Sequence, residues 1–205
     1  MSETDAQLTR VDVSYDSETD LDDDGYSFSR ETTTWRGIAA TADGEDRLAV
    51  GCHRAALAYP DYVSRLLFGV IGVSASGEDQ VQPAFYVWPV GPKIIKMGAL
   101  ARGEEGELFY PVTGGLLAVI HSENKWDAKL SFRWWRDGDR EIFETRLVGF
   151  RPAISGRRTR GLLARARALT YRFTQTRLHA FVMWMFHRWV RKRRAELLRS
   201  HRQIN

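Results

Sequence analysis

The chain holds one cysteine among 205 residues, Cys52, so no intrachain disulfide can form. A lone thiol fits a reducing compartment and excludes a disulfide-stapled scaffold. No apolar run reaches the ~18–20 residues that a membrane helix needs. The uncharged stretches at 66–77 and 108–122 fall short, and the second is interrupted by Pro111, Gly114 and Gly115. The opening residues Met1-Ser2-Glu3-Thr4-Asp5 are acidic and polar where a secretory leader is basic and then apolar, so a cytoplasmic chain is expected. Acidic residues are nearly missing from the C-terminal end. Residues 151–205 carry 15 Lys and Arg but only Glu196 in return, whereas residues 1–150 carry 15 basic and 25 acidic side chains. The modest overall charge of +4 averages two opposed parts.

Signatures of catalysis are also absent. No G-x-S-x-G elbow, phosphate-binding G-x-x-x-x-G-K-[ST] loop or H-E-x-x-H motif occurs. His179 and His187 stand eight apart, about 80° around a helix, and do not converge as an i, i+4 pair would. Cys52-His53 has no second Cys/His cluster to complete a tetrahedral site. No metal and no cofactor is expected, and the histidines read as surface or interface residues. Glu144 with Arg133 and Arg146 reads as a solvated cross-strand ion pair.

What is present is a core-forming composition, 43% hydrophobic and 27% charged. Residues 1–24 are acidic and poor in large apolar side chains, which predicts a disordered tail. The alternation of Val11, Val13 and Tyr15 leaves an edge strand open there. Residues 25–156 read as an antiparallel β-rich domain with one short helix starting at Tyr59-Pro60-Asp61. Strands are expected around Phe28, over 32–35, 84–88 and 93–100, then on both sides of a turn at 111–115. Asp137-Gly138 predicts a two-residue hairpin turn that sets Arg136 opposite Asp139 and Trp134 opposite Glu141. Leu130, Phe132 and Trp134 then share a face with Phe143, Thr145 and Leu147, the other face being charged.

Residues 157–205 read as a basic helix whose end projects from the domain. Tyr171, Leu178, Val182, Met185 and Trp189 form its apolar stripe. A single helix over 160–199 would run about 60 Å, longer than a globule of this size accommodates. It is therefore expected either to break at Thr174-Gln175-Thr176 or to project its last turns into solvent.

The expected fold is α+β, a curved antiparallel sheet with a long C-terminal helix packed on it, a lipocalin-like barrel being the alternative. Over residues 25–200 the element order resembles the helix-grip, START-like architecture. That resemblance implies a cavity for a hydrophobic ligand between sheet and helix. Its expected lining is Phe85, Trp88, Phe132, Trp134 and Phe143 from the sheet, with Tyr171, Leu178 and Met185 from the helix. Trp184, Arg188, Arg191, Lys192, Arg193 and Arg194 set basic groups beside an aromatic segment, which suits an anionic surface. The leading expectation is therefore non-enzymatic binding of a hydrophobic small molecule or lipid, with the basic end touching an anionic membrane or a protein partner. Nucleic acid is disfavoured because the acidic body repels a polyanion. Two other readings stay open. One is a structural or regulatory interaction module built on the C-terminal helix. The other is a cyclase- or hydrolase-like enzyme using Glu144, His121 or His53.

Overall fold

The computed structural model describes residues 11–21, 27–39, 43–68, 71–76, 82–87, 93–115, 118–119, 128–152 and 162–199. The hairpin at 129–152 organises the sheet. Strands β9 (Lys129–Asp137) and β10 (Arg140–Pro152) pair antiparallel with Phe143 opposite Trp134 and Thr145 opposite Phe132. The turn residues are Gly138 and Asp139, one position later than expected, and Arg136 faces Glu141. Gly138 takes φ +61 at the first central position, where a side chain would be strained. Sliding the turn by one residue moves each partner by two, so every side chain keeps its expected face.

Around that hairpin the sheet grows in both directions. Strand β1 (Asp12–Leu21) pairs with β2 (Ser27–Arg36), which pairs with β10. On the other side β9 meets β7 (Leu108–Gly114), followed by β5 (Lys93–Met97), β4 (Gln82–Val87) and β3 (Ile71–Ser76). Two short strands, β6 (Ala101–Arg102) and β8 (Ala118–Val119), pair with β7 and β10. The order is open from β1 to β3, and among the described residues no pairing closes it into a barrel. The fold is α+β, an antiparallel sheet with helices packed on it.

Three segments differ from expectation. Residues 12–21, assigned to a disordered tail, form the edge strand that Val13 and Tyr15 allowed. Its exposed Asp12, Asp16, Glu18 and Asp20 blunt a free edge against further pairing. The turn expected at 111–115 is strand, because β7 runs through Pro111. Pro111 pairs with Lys129 of β9 and faces the gap between β5 and β6 on its other side. There Gly98 N–H donates to Pro111 O at 2.7 Å, and only the reciprocal bond is missing. Helix α1 is much longer than expected, Gly44–Leu66, and Pro60 lies inside it rather than at its start. Its buried stripe is Leu48, Gly51, Cys52, Ala55, Ala56, Tyr59 and Val63. Mostly small residues make a weak hydrophobic pattern, yet they bring the backbone close to its neighbours. A Cβ on Gly51 would lie 2.6 Å from Leu198 Cδ2 and 3.2 Å from Trp134.

Helix α2 spans Leu162–Leu197 in one piece, with its side chains described from residue 177 onward. At ~1.5 Å per residue it is about 54 Å long. Its end does not project as expected, because Leu197 and Leu198 are buried against α1, where Arg54 Nη1 donates to Leu197 O and Arg47 Nε to Leu198 O, each at 3.1 Å. It lies against β1, β2 and α1, while α1 covers β9, β7 and β3. The core between them is aromatic. Phe186 contacts Tyr59 at 5.0 Å, Phe132 at 6.2 Å and Phe143 at 6.3 Å between ring centroids. Trp134 meets Phe143 at 5.2 Å and stacks on Trp35 at 5.6 Å.

Candidate functional site: the two faces of the C-terminal helix

Two groups of side chains on α2 carry chemistry, and they point in opposite directions. Phe181, Trp184, Arg188 and Lys192 are all exposed. At 100° per residue they fall within an arc of about 80°. Phe181 and Trp184 lie 6.3 Å apart as tilted rings, and the Arg188 guanidinium sits 5.7 Å from the Trp184 ring. Leu178 is exposed beside them at 45%. An aromatic and aliphatic patch thus leads into a basic one on a single helix face. Arg193, also exposed, lies 5.6 Å from the Trp189 ring and pairs with Glu196 at 3.4 Å.

The expected anionic-surface set needs one correction and one adjustment. Arg194 turns inward. Its Nε donates to Glu141 Oε2 at 2.9 Å, while Arg136 Nη2 donates to Glu141 Oε1 at 2.7 Å and the carboxylate is buried. Its position four residues after Val190 puts it on the packed face, where it serves as an anchor. Arg191 is half-buried near Tyr15 and His187. Trp184, Arg188, Lys192 and Arg193 are the outward members.

The apolar stripe is also rotated from the expected one. Val182, Met183, Phe186, His187 and Val190 are the buried positions, while Met185 and Trp189 are half-buried and Leu178 is exposed. Residues 181–186 are apolar all round, so periodicity alone could not orient them. Of the expected cavity lining, Phe85, Phe132, Trp134 and Phe143 are buried in the core, where the last three pack into the ring cluster. Leu178 cannot line a cavity, because it faces outward. Trp88 and the Tyr171 side chain lie outside the described residues, as do His121 and the turn at 89–92.

The inner face of α2 meets a row of polar side chains that sequence reasoning missed. Ser29, Glu31 and Thr33 of β2 and Thr145 of β10 are fully buried beneath it. Ser29 Oγ donates to Glu31 Oε1 at 2.7 Å, and Thr145 Oγ1 donates to Glu31 Oε2 at 3.3 Å. Thr145 Oγ1 lies 3.0 Å from His187 Nε2, and Thr33 Oγ1 lies 2.8 Å from His187 Nδ1. Ser29 Oγ lies 2.8 Å from His179 Nε2. Since each hydroxyl has one proton, Thr145 and Ser29 accept from the two histidine Nε2–H groups, and His187 Nδ1 accepts from Thr33. Both histidines are neutral in that scheme. Burial pushes His187 down to about 3 and His179 to about 4, and pushes Glu31 up to about 7 against the pull of its two hydroxyl donors. The expectation of surface histidines holds for His53, which is exposed on α1, and fails for His187, which is fully buried.

Nothing in this row forms a hydrolytic triad. There the imidazole stands between nucleophile and carboxylate. Here Ser29 stands in the middle and gives its proton to Glu31. Glu144 lies on the opposite sheet face and is buried rather than solvated. Arg30 Nε and Arg146 Nε approach its oxygens to 2.6 and 2.7 Å, and Arg133 pairs with Glu105 instead, at 2.9 Å. The buried thiol of Cys52 is pushed up to about 12, far from a thiolate at neutral pH. Among the described residues no cluster could hold a metal ion, and no helix is long and apolar enough to cross a membrane.

No family model matches the chain, and no curated protein does. Among solved structures it is similar to a START superfamily protein from Mycobacterium smegmatis. The two share 15% identity over 78% of this chain and 99% of that one, with a TM-score of 0.36.

Proposed function

We propose that the chain is a non-enzymatic lipid-binding domain that docks on an anionic bilayer through the outer face of α2. The observation that carries this reading is the exposed run of Phe181 and Trp184 leading into Arg188 and Lys192. Aromatic rings suit the headgroup boundary and the cations suit lipid phosphate, each worth about 1 kcal/mol near the surface. Leu178, withdrawn from the cavity, joins this face. The acidic edge strand β1 opposes a nucleic-acid partner. The ligand part of the reading rests on the architecture, an antiparallel sheet covered by two helices, α1 over β9, β7 and β3 and α2 over β1 and β2. Phe132, Trp134 and Phe143 then form the packed wall at one end of any ligand space, and Phe85 on β4 belongs to the part of the sheet nearer its opposite edge.

Flotation of purified protein with vesicles tests the docking face. Phosphatidylcholine vesicles containing phosphatidylserine should carry the protein, and pure phosphatidylcholine should not. Removing two surface cations as R188S/K192S should weaken the association about 30-fold. Wild-type protein left unbound by the anionic vesicles, or a double variant that floats equally well, overturns the reading. Native mass spectrometry tests the ligand part, which is lost if the purified protein is apolar-ligand-free and takes up no fatty acid.

A further inference from the structure

The buried polar row does not belong to the docking face and asks for an explanation of its own. A helix can be glued to a sheet by leucines alone, yet α2 presents His179 and His187 to Ser29, Glu31, Thr33 and Thr145. The two histidines lie eight residues apart, and Glu31 joins them through two hydroxyls, Ser29 toward His179 and Thr145 toward His187. We infer that this chain of hydrogen bonds is a proton-operated latch that holds the C-terminal half of α2 against β2 and β10 and lets go on acidification.

The row tolerates one proton and not two. When Glu31 takes up a proton, the protonated oxygen donates to one hydroxyl, that of Ser29 or Thr145, which reverses direction while the other hydroxyl goes on donating to the second oxygen. The histidine bonded to that hydroxyl exchanges tautomers, so the hydrogen bonds of the row are kept with one proton added. A second proton must go to an imidazole. His187 then needs two acceptors and carries a charge in a site with no exposed surface. The groups facing it are Tyr15 from β1, with ring centroids 5.4 Å apart, Glu31 by way of Thr145, and Arg191 one turn along its own helix. From α1, Tyr59 lies close enough to Glu31 to feel its charge. The protonated Glu31 no longer offers a countercharge, and Arg191 repels the new cation. Opening the helix hydrates the imidazolium and relieves both penalties.

Amide hydrogen exchange on the full chain tests the latch, corrected for the intrinsic pH dependence of exchange. Protection over residues 179–190 should fall about tenfold per pH unit below pH 6, one proton being gained on opening. Protection in β9, beneath α1, should fall less. In H187Q the amide keeps a donor and an acceptor but does not titrate, and the acid loss over α2 should flatten. A wild-type α2 whose protection is independent of pH between 7.5 and 4.5 overturns the latch, as does an H187Q variant with an undiminished acid response. Should H187Q not fold, the imidazole resonances of the wild type decide. His187 staying neutral down to pH 4 in folded protein supports the latch, and titration of His187 near 6.5 with α2 still protected overturns it.

Discussion

The two halves of the inner sheet face are built on different chemistry and covered by different helices. Under α1, strands β9 and β7 present Leu130, Phe132 and Trp134 with Leu108, Tyr110 and Val112, all buried. Under α2, β2 and β10 present Ser29, Glu31, Thr33, Glu141 and Thr145 alongside Trp35, Phe143 and Leu147. The apolar half is held by contact area, which is indifferent to pH. The polar half is held by hydrogen bonds and an ion pair, which specify one helix rotation and are sensitive to protons. One domain thereby combines a core that stays closed with a helix that can be released.

That contrast can be broken at several points. Phe186 belongs to both halves, touching rings from α1, β9 and β10. Phe186→Ala should cost about 3–5 kcal/mol in urea unfolding, through lost burial and the cavity left behind. Glu141→Ala strands Arg136 and Arg194 together and should cost about 3 kcal/mol, with the loss concentrated in α2.

A smaller effect should appear on titration. Glu31 holds its proton more tightly in the fold, at about 7 against 4.5, so its contribution favours the fold at low pH and fades as pH rises from 4.5 to 7. His187 and His179 do the opposite, with values of about 3 and 4 against 6.5, so their contribution is present above 6.5 and is lost as pH falls. Two histidines outweigh one carboxyl, and the unfolded chain binds about one proton more between pH 4.5 and 6. Stability measured by urea unfolding should therefore drop by about 1.4 kcal/mol per pH unit on acidification in that window. The drop needs both histidines, because the proton gained by either one alone is cancelled by the proton that Glu31 releases. The smallest effect on folding is expected at Trp184. Trp184→Ala should change stability by less than about 0.5 kcal/mol while weakening vesicle association, which separates the outer face of α2 from the inner one.

Legibility in the sequence followed the range of the interactions. The β9–β10 hairpin could be read because a glycine turn and alternating strands lie within about 20 residues, and even a one-residue error in the turn left the faces intact. Helix α1 escaped because its buried stripe is Gly51, Cys52, Ala55 and Ala56, whose role is close approach rather than bulk hydrophobicity. Glu144 was misread as solvated because one of the arginines that cover it, Arg30, is 114 residues away.

The sequence by itself determined the antiparallel hairpin, the long basic helix at the end and the segregation of charge, since each depends on neighbours along the chain. Only the tertiary structure decided which way α2 turns. Residues 181–186 are apolar on all sides, so hydrophobic burial alone does not choose among rotations of the helix. The choice comes from Glu31, Thr33 and Thr145, buried polar groups that would be costly without partners, and His187 is the side chain that answers them. With that face turned inward, Trp184, Arg188 and Lys192 are left to the outside.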